Sequence, residues 1–364
     1  MSRPLSIVGS GAVTPVGLSV RQTCAAIRAA LSNFVETGFS HEDLEPVIGA
    51  MIPLRPRPTQ SNRFSRLVAI ASRALQECVT SAGVEPSRTA LLLGVREPYR
   101  VDPRRDWSDQ GLLRAIERRL RTRFHSDSRV IPEGKAAAFR GVKLSQDLLM
   151  SGRVEASIFG GVDSLLNQQD LDLFDAKFRI KRPGLSRGLI PGEGACFLAV
   201  TTRQLTQDRV VHGGILGVGL VEEDPAFTTL SDGHPSGKGL RKALNAAILD
   251  ANVSESQIDF RISDMNGEEH ATIDSLIAST RFYRSRRDIA ACWCPASSLG
   301  EIGAAFGALS VIVANVGWAK DYAPGSLVMC EASSDGGLRG GCLVMRPDRS
   351  AQASPRSDAS PRSK

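Results

Sequence analysis

Aromatic side chains are scarce in this chain. Phe, Trp and Tyr together make up 5% of the 364 residues, which argues against a platform of stacked aromatics for single-stranded nucleic acid. The net charge is +6, but no helix-turn-helix, zinc-finger or RNA-binding signature accompanies it, so we do not expect nucleic acid as a partner. A hydrophobic fraction of 42% still allows a large core, built mainly from Ala, Val, Leu and Ile.

Paired cysteines are lacking as well. The seven cysteines are odd in number and irregular in spacing, so we expect reduced thiols and a cytoplasmic location. Only Cys292 and Cys294 lie close together, with one residue between them. They lack the second pair of a zinc site, so we interpret them as the end of a strand and expect neither a metal nor a cofactor.

Targeting and membrane segments are not recognisable. The N-terminus carries a single basic residue, and Gly9, Gly11 and Pro15 interrupt its apolar stretch, unlike a signal peptide. The longest apolar run, residues 303–319, contains Ser310 and Asn315 and is rich in Ala and Gly. This composition favours a buried helix over a membrane span.

Arginine is concentrated in residues 100–123. Acidic residues in the same segment balance part of this charge, which favours a solvated helix face. The alternative is a basic surface that attracts an acidic partner by steering and charge pairing.

Strand-like and helix-like segments alternate along the chain, which predicts an α/β protein with a covered sheet. The predicted strands are 5–8, 89–95, 157–161, 194–201, 210–221, 260–264, 326–332 and 341–345. The predicted helices are 19–31, 61–82, 136–150, 237–251, 272–280 and 303–319, with a turn at 11–17. Both parts end with a small-residue strand after a Gly-rich turn, which hints at an internal duplication. Residues 347–364 repeat Ser-Pro-Arg, have no apolar periodicity and are expected to be disordered.

Four Gly-rich segments in order, at 7–17, 151–164, 190–196 and 298–305, resemble the β-ketoacyl synthases of the thiolase superfamily. The resemblance implies a thiolase-like fold with layers in the order α-β-α-β-α. It implies two similar halves, 1–204 and 205–346, each a mixed sheet layered with helices, and usually a homodimer.

The family carries a nucleophilic Cys and two His. The spacing back from the Gly-Gly turn at 160 places Lys135 at the nucleophile position, and no Cys occurs between Cys78 and Cys196. The first His position is taken by Asn266, with Asp274 matching the family's Asp eight residues later.

The second His position is taken by Glu301, inside Leu-Gly-Glu-Ile-Gly-Ala-Ala. A protonated Lys135 cannot attack a thioester, and an ionised Glu301 would repel an oxyanion. The triad-equivalent residues therefore predict a catalytically degenerate protein. They also predict an ion pair between Lys135 and Glu301, since unpaired buried charges are costly.

Other polar residues allow a different chemistry. Asp264, Glu268, Glu269 and His270 form a carboxylate-plus-His cluster that is compatible with a metal site or with acid–base chemistry. We interpret Glu193 as satisfying backbone donors at a tight turn and Asp163 as capping a turn.

Three functions stay open on the sequence. The favoured one is a silent protein that binds an acyl chain, an acidic acyl carrier protein or a partner condensing enzyme. The second is an active synthase or acyltransferase with non-standard residues. The third is a dimeric interaction or assembly subunit without a ligand.

Overall fold

The computed structural model describes residues 4–41, 43–60, 62–100, 108–202, 210–231, 233–287 and 291–347. All of the predicted disordered tail except residue 347 lies outside these ranges. Arg104 and Arg105 of the basic segment and the predicted boundary between the halves at 204 also lie outside them.

Strands and helices alternate through the described residues. The strands are β1 Leu5–Val13, β2 Phe34–Ser40, β3 Pro46–Ala50, β4 Thr89–Gly94, β5 Arg129–Ile131, β6 Ala156–Ser164, β7 Glu193–Thr202, β8 Gly213–Glu222, β9 Phe260–Ser263, β10 Ala291–Trp293, β11 Leu327–Ser333 and β12 Leu338–Met345. The helices are α1 Val20–Arg28, α2 Arg63–Ala82, α3 Asp109–Leu120, α4 Ala137–Met150, α5 Gln168–Asp175, α6 Lys238–Ala251, α7 Glu269–Phe282, α8 Ala296–Leu299 and α9 Phe306–Ala319.

The same strand order occurs twice. The first set runs β5-β4-β6-β7-β1 and the second runs β10-β9-β11-β12-β8. In each set the first three strands are parallel and the last two are antiparallel to their neighbours. β1 and β8 pair antiparallel and join the two sets into one ten-stranded sheet with β5 and β10 at its edges. This repeated topology confirms the fold class with two similar halves, while the boundary between them at 204 stays a prediction.

The helices form three layers around the two sets of strands. α2 and α3 cover the outside of the first set, and α6 and α7 cover the outside of the second. α4 and α9 lie between the sets, in the largest apolar cluster of the molecule. The layer order α-β-α-β-α is confirmed. It places the start of α4 near the loops that follow β9 and β11.

One predicted turn is wrong in extent. The sequence predicted a turn from residue 11, but β1 continues through Val13, and the turn is confined to Thr14–Gly17, closed by two backbone hydrogen bonds. Gly11 instead allows β1 and α2 to pack closely, because a Cβ at this position would lie 1.9 Å from the Ala74 carbonyl oxygen on α2.

Several short elements were not predicted, namely the β2–β3 hairpin, β5, α5 and α8. β5 has only three residues, and β2 has a mixed pattern of exposure, so neither carries a clear hydrophobic period. The apolar run at 303–319 forms a short 3₁₀ turn and then α9, which is buried along almost its whole length. No helix in the described part of the chain is long and apolar enough to cross a membrane.

Candidate functional site

Lys135 lies in a 3₁₀ turn, Gly134–Ala136, that runs directly into α4. Its side chain is buried, with 7% of the residue exposed. Ser334 fastens this turn to the loop after β11, since its Oγ accepts from the Ala136 N–H at 3.0 Å and donates to the Glu133 carbonyl. A helix N-terminus disfavours a cation, so a buried lysine at this position requires negative partners.

Two carboxylates supply the negative charge. Lys135 Nζ lies 3.1 Å from Asp264 Oδ2 and 3.6 Å from Glu301 Oε2. The ion pair predicted between Lys135 and Glu301 is present, and Asp264 is the closer partner. Burial by itself would lower the pKa of Lys135, but Asp264 and Glu301 raise it above its ordinary value, so the ammonium stays charged at neutral pH.

Asn266 and Glu301 meet beside the ammonium group. The Asn266 side-chain amide donates to Glu301 Oε2 at 2.6 Å and to Glu268 Oε2 at 2.9 Å. The remaining oxygen of Glu301, Oε1, accepts from the Gly303 N–H at 2.8 Å. Burial raises the pKa of Glu301, while Lys135, the Asn266 amide and the Gly303 N–H act against that shift.

The network extends through Arg179. Its guanidinium binds Glu268, with Nε 2.5 Å from Oε1, and Asp335, with Nη2 3.0 Å from Oδ1. Asp335 also accepts from the Tyr99 hydroxyl and from Thr229 Oγ1. Burial would raise the pKa of Asp335, but Arg179 and Lys135 lower it, so this carboxylate stays ionised.

Glu97 binds the backbone at Asp335. Its carboxylate accepts from the backbone N–H groups of Asp335, at 3.0 Å, and Gly336, at 2.5 Å. Burial and the neighbouring Asp335 charge raise the pKa of Glu97 to about 7. Glu97 therefore titrates near neutral pH, unlike an exposed glutamate.

Little empty space remains around these groups. The cavity at Lys135 has a volume of about 20 Å³ and is lined mainly by charged side chains, together with Leu165, Phe174 and Leu189. A cavity of this size holds about one water molecule. An acyl chain or a pantetheine arm would not fit without rearrangement of the network.

The predicted site residues separate into two groups. Lys135, Asn266, Glu301 and Glu268 come together at the cavity. Glu269 does not join them: its carboxylate is half-exposed and pairs with Arg187.

The other two predicted neighbours, His270 and Asp274, do not line the cavity itself. His270 lines a surface groove of about 500 Å³, and burial lowers its pKa. Asp274 is a buried residue of α7 and accepts from the Gly237 N–H at 2.7 Å. Glu268 is held by Arg179 and Asn266, while both ring nitrogens of His270 have no hydrogen-bond partner among the described residues. Glu268, Glu269 and His270 share one groove, and an acid–base role for them stays a prediction.

Sequence reasoning missed Arg179, Asp335, Tyr99 and Glu97. A signal existed for Asp335, because it directly precedes Gly336 and Gly337, a pair that resembles the family's Gly-rich active-site loop. Arg179 carried no motif and lies outside the predicted elements.

Arg100 was predicted within the basic surface segment, and this prediction is wrong. It is buried and pairs with Asp163, Nη1 to Oδ2 at 2.8 Å, and with Asp170, Nη2 to Oδ2 at 2.7 Å. Asp163 accepts from the adjacent Ser164 N–H, as expected of a turn cap, but it also holds this guanidinium.

Glu193 accepts a backbone hydrogen bond from Ile52 at 2.9 Å, in line with the expected role. It also pairs with the buried guanidinium of Arg66, which the sequence did not predict. Among the residues that the structure describes, no group of three or more His, Cys, Asp or Glu is arranged to hold a metal ion.

Solved structures with the same fold are ketosynthases and their relatives. The ishigamide ketosynthase/chain length factor has a TM-score of 0.79 at 20% identity, covering 96% of this chain and 100% of the other. A type II polyketide synthase acyl-carrier protein in complex with its ketosynthase gives 0.78 at 14% identity, covering 95% and 100%. A β-ketoacyl synthase from Burkholderia phymatum gives 0.76 at 18%, covering 96% and 100%.

No protein-family model matches the sequence, and no curated protein matches it. The solved structures establish the fold: this chain has the thiolase-like fold of ketosynthases and chain length factors.

Proposed function

We propose that this chain is a catalytically silent ketosynthase-fold subunit that pairs with a condensing enzyme. The observation that carries the proposal is Lys135, held by Asp264 and Glu301 in a cavity of about 20 Å³. This is the position at which the family resemblance expects the nucleophilic Cys.

The chemistry of the cavity is unsuited to acyl transfer. An ammonium group has no lone pair with which to attack a thioester, and the two carboxylates keep Lys135 protonated. A developing oxyanion needs hydrogen-bond donors or positive charge. The Asn266 amide is already engaged by Glu301 and Glu268.

The small cavity favours an interaction role over storage of an acyl chain. Solved structures with this fold include a ketosynthase in complex with its chain length factor from Xenorhabdus doucetiae. This chain's small cavity and its thiolase-like fold fit the silent member of such a pair. The alternative, a subunit that pairs only with itself, is separated from this one by the experiment below.

An acidic acyl carrier protein is the second partner that we propose. A groove of about 540 Å³ lies between α2 and α3, and Leu54 and Leu120 contribute apolar surface to its lining. Arg55, Arg73 and Arg119 line the groove and are exposed. Guanidinium groups around an apolar groove complement an acidic helix, and such charge pairs mainly raise the association rate.

The pairing is tested by native mass spectrometry of the full chain, alone and mixed with a condensing enzyme from the same cell. We expect a one-to-one complex and higher condensation activity than the enzyme shows alone. A chain that forms only its own dimer and leaves the enzyme's activity unchanged would contradict the proposal.

The carrier groove is tested separately with Arg73→Glu/Arg119→Glu. We expect at least about tenfold weaker binding of an acidic carrier protein, with the difference shrinking at high salt. The control Lys242→Glu/Arg284→Glu makes the same charge change at exposed residues of the second half. Equal weakening by both variants would indicate a net-charge effect and no defined groove.

A further inference from the structure

Two cysteines at the edge of the sheet face each other. β10 is an edge strand, and Cys292 and Cys294 project on the same side because side chains two apart in an extended segment share a face. Their Sγ atoms lie 3.8 Å apart. Both residues are partly exposed.

The other five cysteines provide a contrast within the same molecule. Cys24, Cys78, Cys196, Cys330 and Cys342 are buried. Burial raises the pKa of each of these thiols, to about 12 for Cys24 and Cys330. Buried thiols with raised pKa values are inert, because the thiolate is the reactive form.

We infer that Cys292 and Cys294 are a redox-active dithiol that closes to an intramolecular disulfide by exchange with a small-molecule disulfide such as oxidised glutathione. The inference goes beyond the proposed pairing function and does not depend on it. It rests on the separation of the two sulfurs, their exposure and their charged surroundings.

The two thiols have different roles in the exchange. The hydrogen bond between the two thiols, together with burial, raises the pKa of Cys292, and the same hydrogen bond lowers the pKa of Cys294. Arg261 on β9 lies opposite Cys292 in the parallel register, and its positive charge favours both thiolates, while its ion-pair partner Glu331, 2.7 Å away, opposes part of this effect. Cys294 is therefore the attacking thiolate and Cys292 the resolving thiol.

The reaction balances in two exchange steps. Cys294 thiolate attacks one sulfur of oxidised glutathione, forms a mixed disulfide and releases one glutathione thiolate. Cys292 gives up its proton and attacks Cys294 Sγ, which forms the 292–294 bond and releases the second glutathione. Two protein thiols are oxidised, one small disulfide is reduced, and the released protons are taken by the two glutathione thiolates.

The disulfide should be strained and easily reduced. Residues two apart in a strand have Cα atoms roughly 6.6 Å apart, near the upper end of the range that disulfides span, about 4.4–6.8 Å. Closure must therefore bend the strand at Trp293. Strained, exposed disulfides have high reduction potentials and act as labile bonds.

Trp293 reports on this bend. Its ring centroid lies 4.8 Å from that of Phe260 and 5.8 Å from that of Tyr322. A bend between Cys292 and Cys294 moves the indole relative to both rings, so closure should change the tryptophan fluorescence. Reduction should restore the starting spectrum.

The test uses the native full chain, treated with excess oxidised glutathione or with dithiothreitol, and then with iodoacetamide. In the reduced chain, we expect alkylation of Cys292 and Cys294 only. In the oxidised chain, we expect no alkylation, a loss of two hydrogen atoms in the intact mass, and a peptide that links the two cysteines. Continued alkylation of both, a stable glutathione adduct or a link between two chains would overturn the inference.

Two variants assign the roles. Cys292→Ser should stop at a glutathione adduct on Cys294, because the resolving thiol is gone. Cys294→Ser should react at least about tenfold more slowly, because a thiol with a higher pKa has a smaller thiolate fraction. Equal rates for the two variants would refute the assignment of Cys294 as nucleophile. If either variant fails to fold, the peptide map and the fluorescence of the unaltered chain still decide the disulfide.

Discussion

Lys135→Met tests the charge network at the candidate site. The substitution keeps a long side chain but removes the only cation that contacts Asp264 and Glu301 in the described part of the chain. Both carboxylates would then be buried beside a methyl group. The free energy of unfolding should fall.

The size of the loss follows from the two distances. At an effective dielectric constant of about 20, unit charges 3.1 Å and 3.6 Å apart attract by about 5 kcal/mol each. The methionine avoids the desolvation cost of an ammonium group, which is several kcal/mol. The net loss should therefore be about 3–5 kcal/mol, the range seen when one partner of a buried ion pair is removed.

The loss should depend on pH in a defined direction. Burial raises the pKa of Glu301, and removing Lys135 takes away the charge that opposes this shift. A carboxyl with a raised pKa binds its proton more tightly in the folded state, so stability increases as pH falls through that pKa. Lys135→Met should accordingly recover part of its loss in mildly acidic solution.

Urea unfolding followed by circular dichroism measures this loss at pH 7. The slope of the unfolding free energy against urea concentration should be the same in the variant and the unaltered chain, which checks that unfolding stays two-state. Lys242→Met, at an exposed position of α6, is the matched control and should change stability by less than about 0.5 kcal/mol. A loss below about 1 kcal/mol in Lys135→Met, or no recovery in Lys135→Met/Glu301→Gln, would refute the reasoning.

Three further changes probe the surrounding structure. Arg179→Met should lower the free energy of unfolding in urea by about 3–5 kcal/mol, because the buried carboxylates of Glu268 and Asp335 lose the cation they share. An unchanged free energy of unfolding would contradict this ion-pair network. Gly11→Ala should lower the free energy of unfolding by more than about 2 kcal/mol, because the added Cβ would lie 1.9 Å from the Ala74 carbonyl oxygen. The control Gly214→Ala should lower it much less, because the atom nearest to its added Cβ is 3.9 Å away. Because the pKa of Glu97 is raised to about 7, stability should fall as pH rises from about 4.5 to 7, and Glu97→Gln should flatten that dependence in thermal melts at several pH values.

Much of the fold follows from local patterns. The long helices and the buried strands were predicted within a few residues, because their hydrophobic periods extend over several turns or strand repeats. The edge strand β5 was not predicted, since three residues carry no period. The end of β1 was misplaced because Gly11 looks like a turn residue, while its actual role is the close approach of α2.

The site was predicted in part. The Gly-rich motifs led to Glu301, and the spacing led to Lys135 and Asn266, which the fold brings together. Arg179 and Asp335 lie 156 residues apart and meet only in the folded chain. Sequence spacing carries no information about that contact. The burial of Arg100 was missed for the same reason, because its partners Asp163 and Asp170 belong to a later strand and helix.

The central claim is that the residues at the ketosynthase active-site position accept no acyl group. It is tested most directly by the intact mass of the full chain after incubation with an acyl carrier protein loaded with a labelled acetyl or malonyl thioester. We predict an unchanged mass and no release of labelled carbon dioxide, with an active ketosynthase acylated in a parallel reaction. A mass increase of one acyl group that maps to Lys135 or to a neighbouring cavity residue would contradict the account.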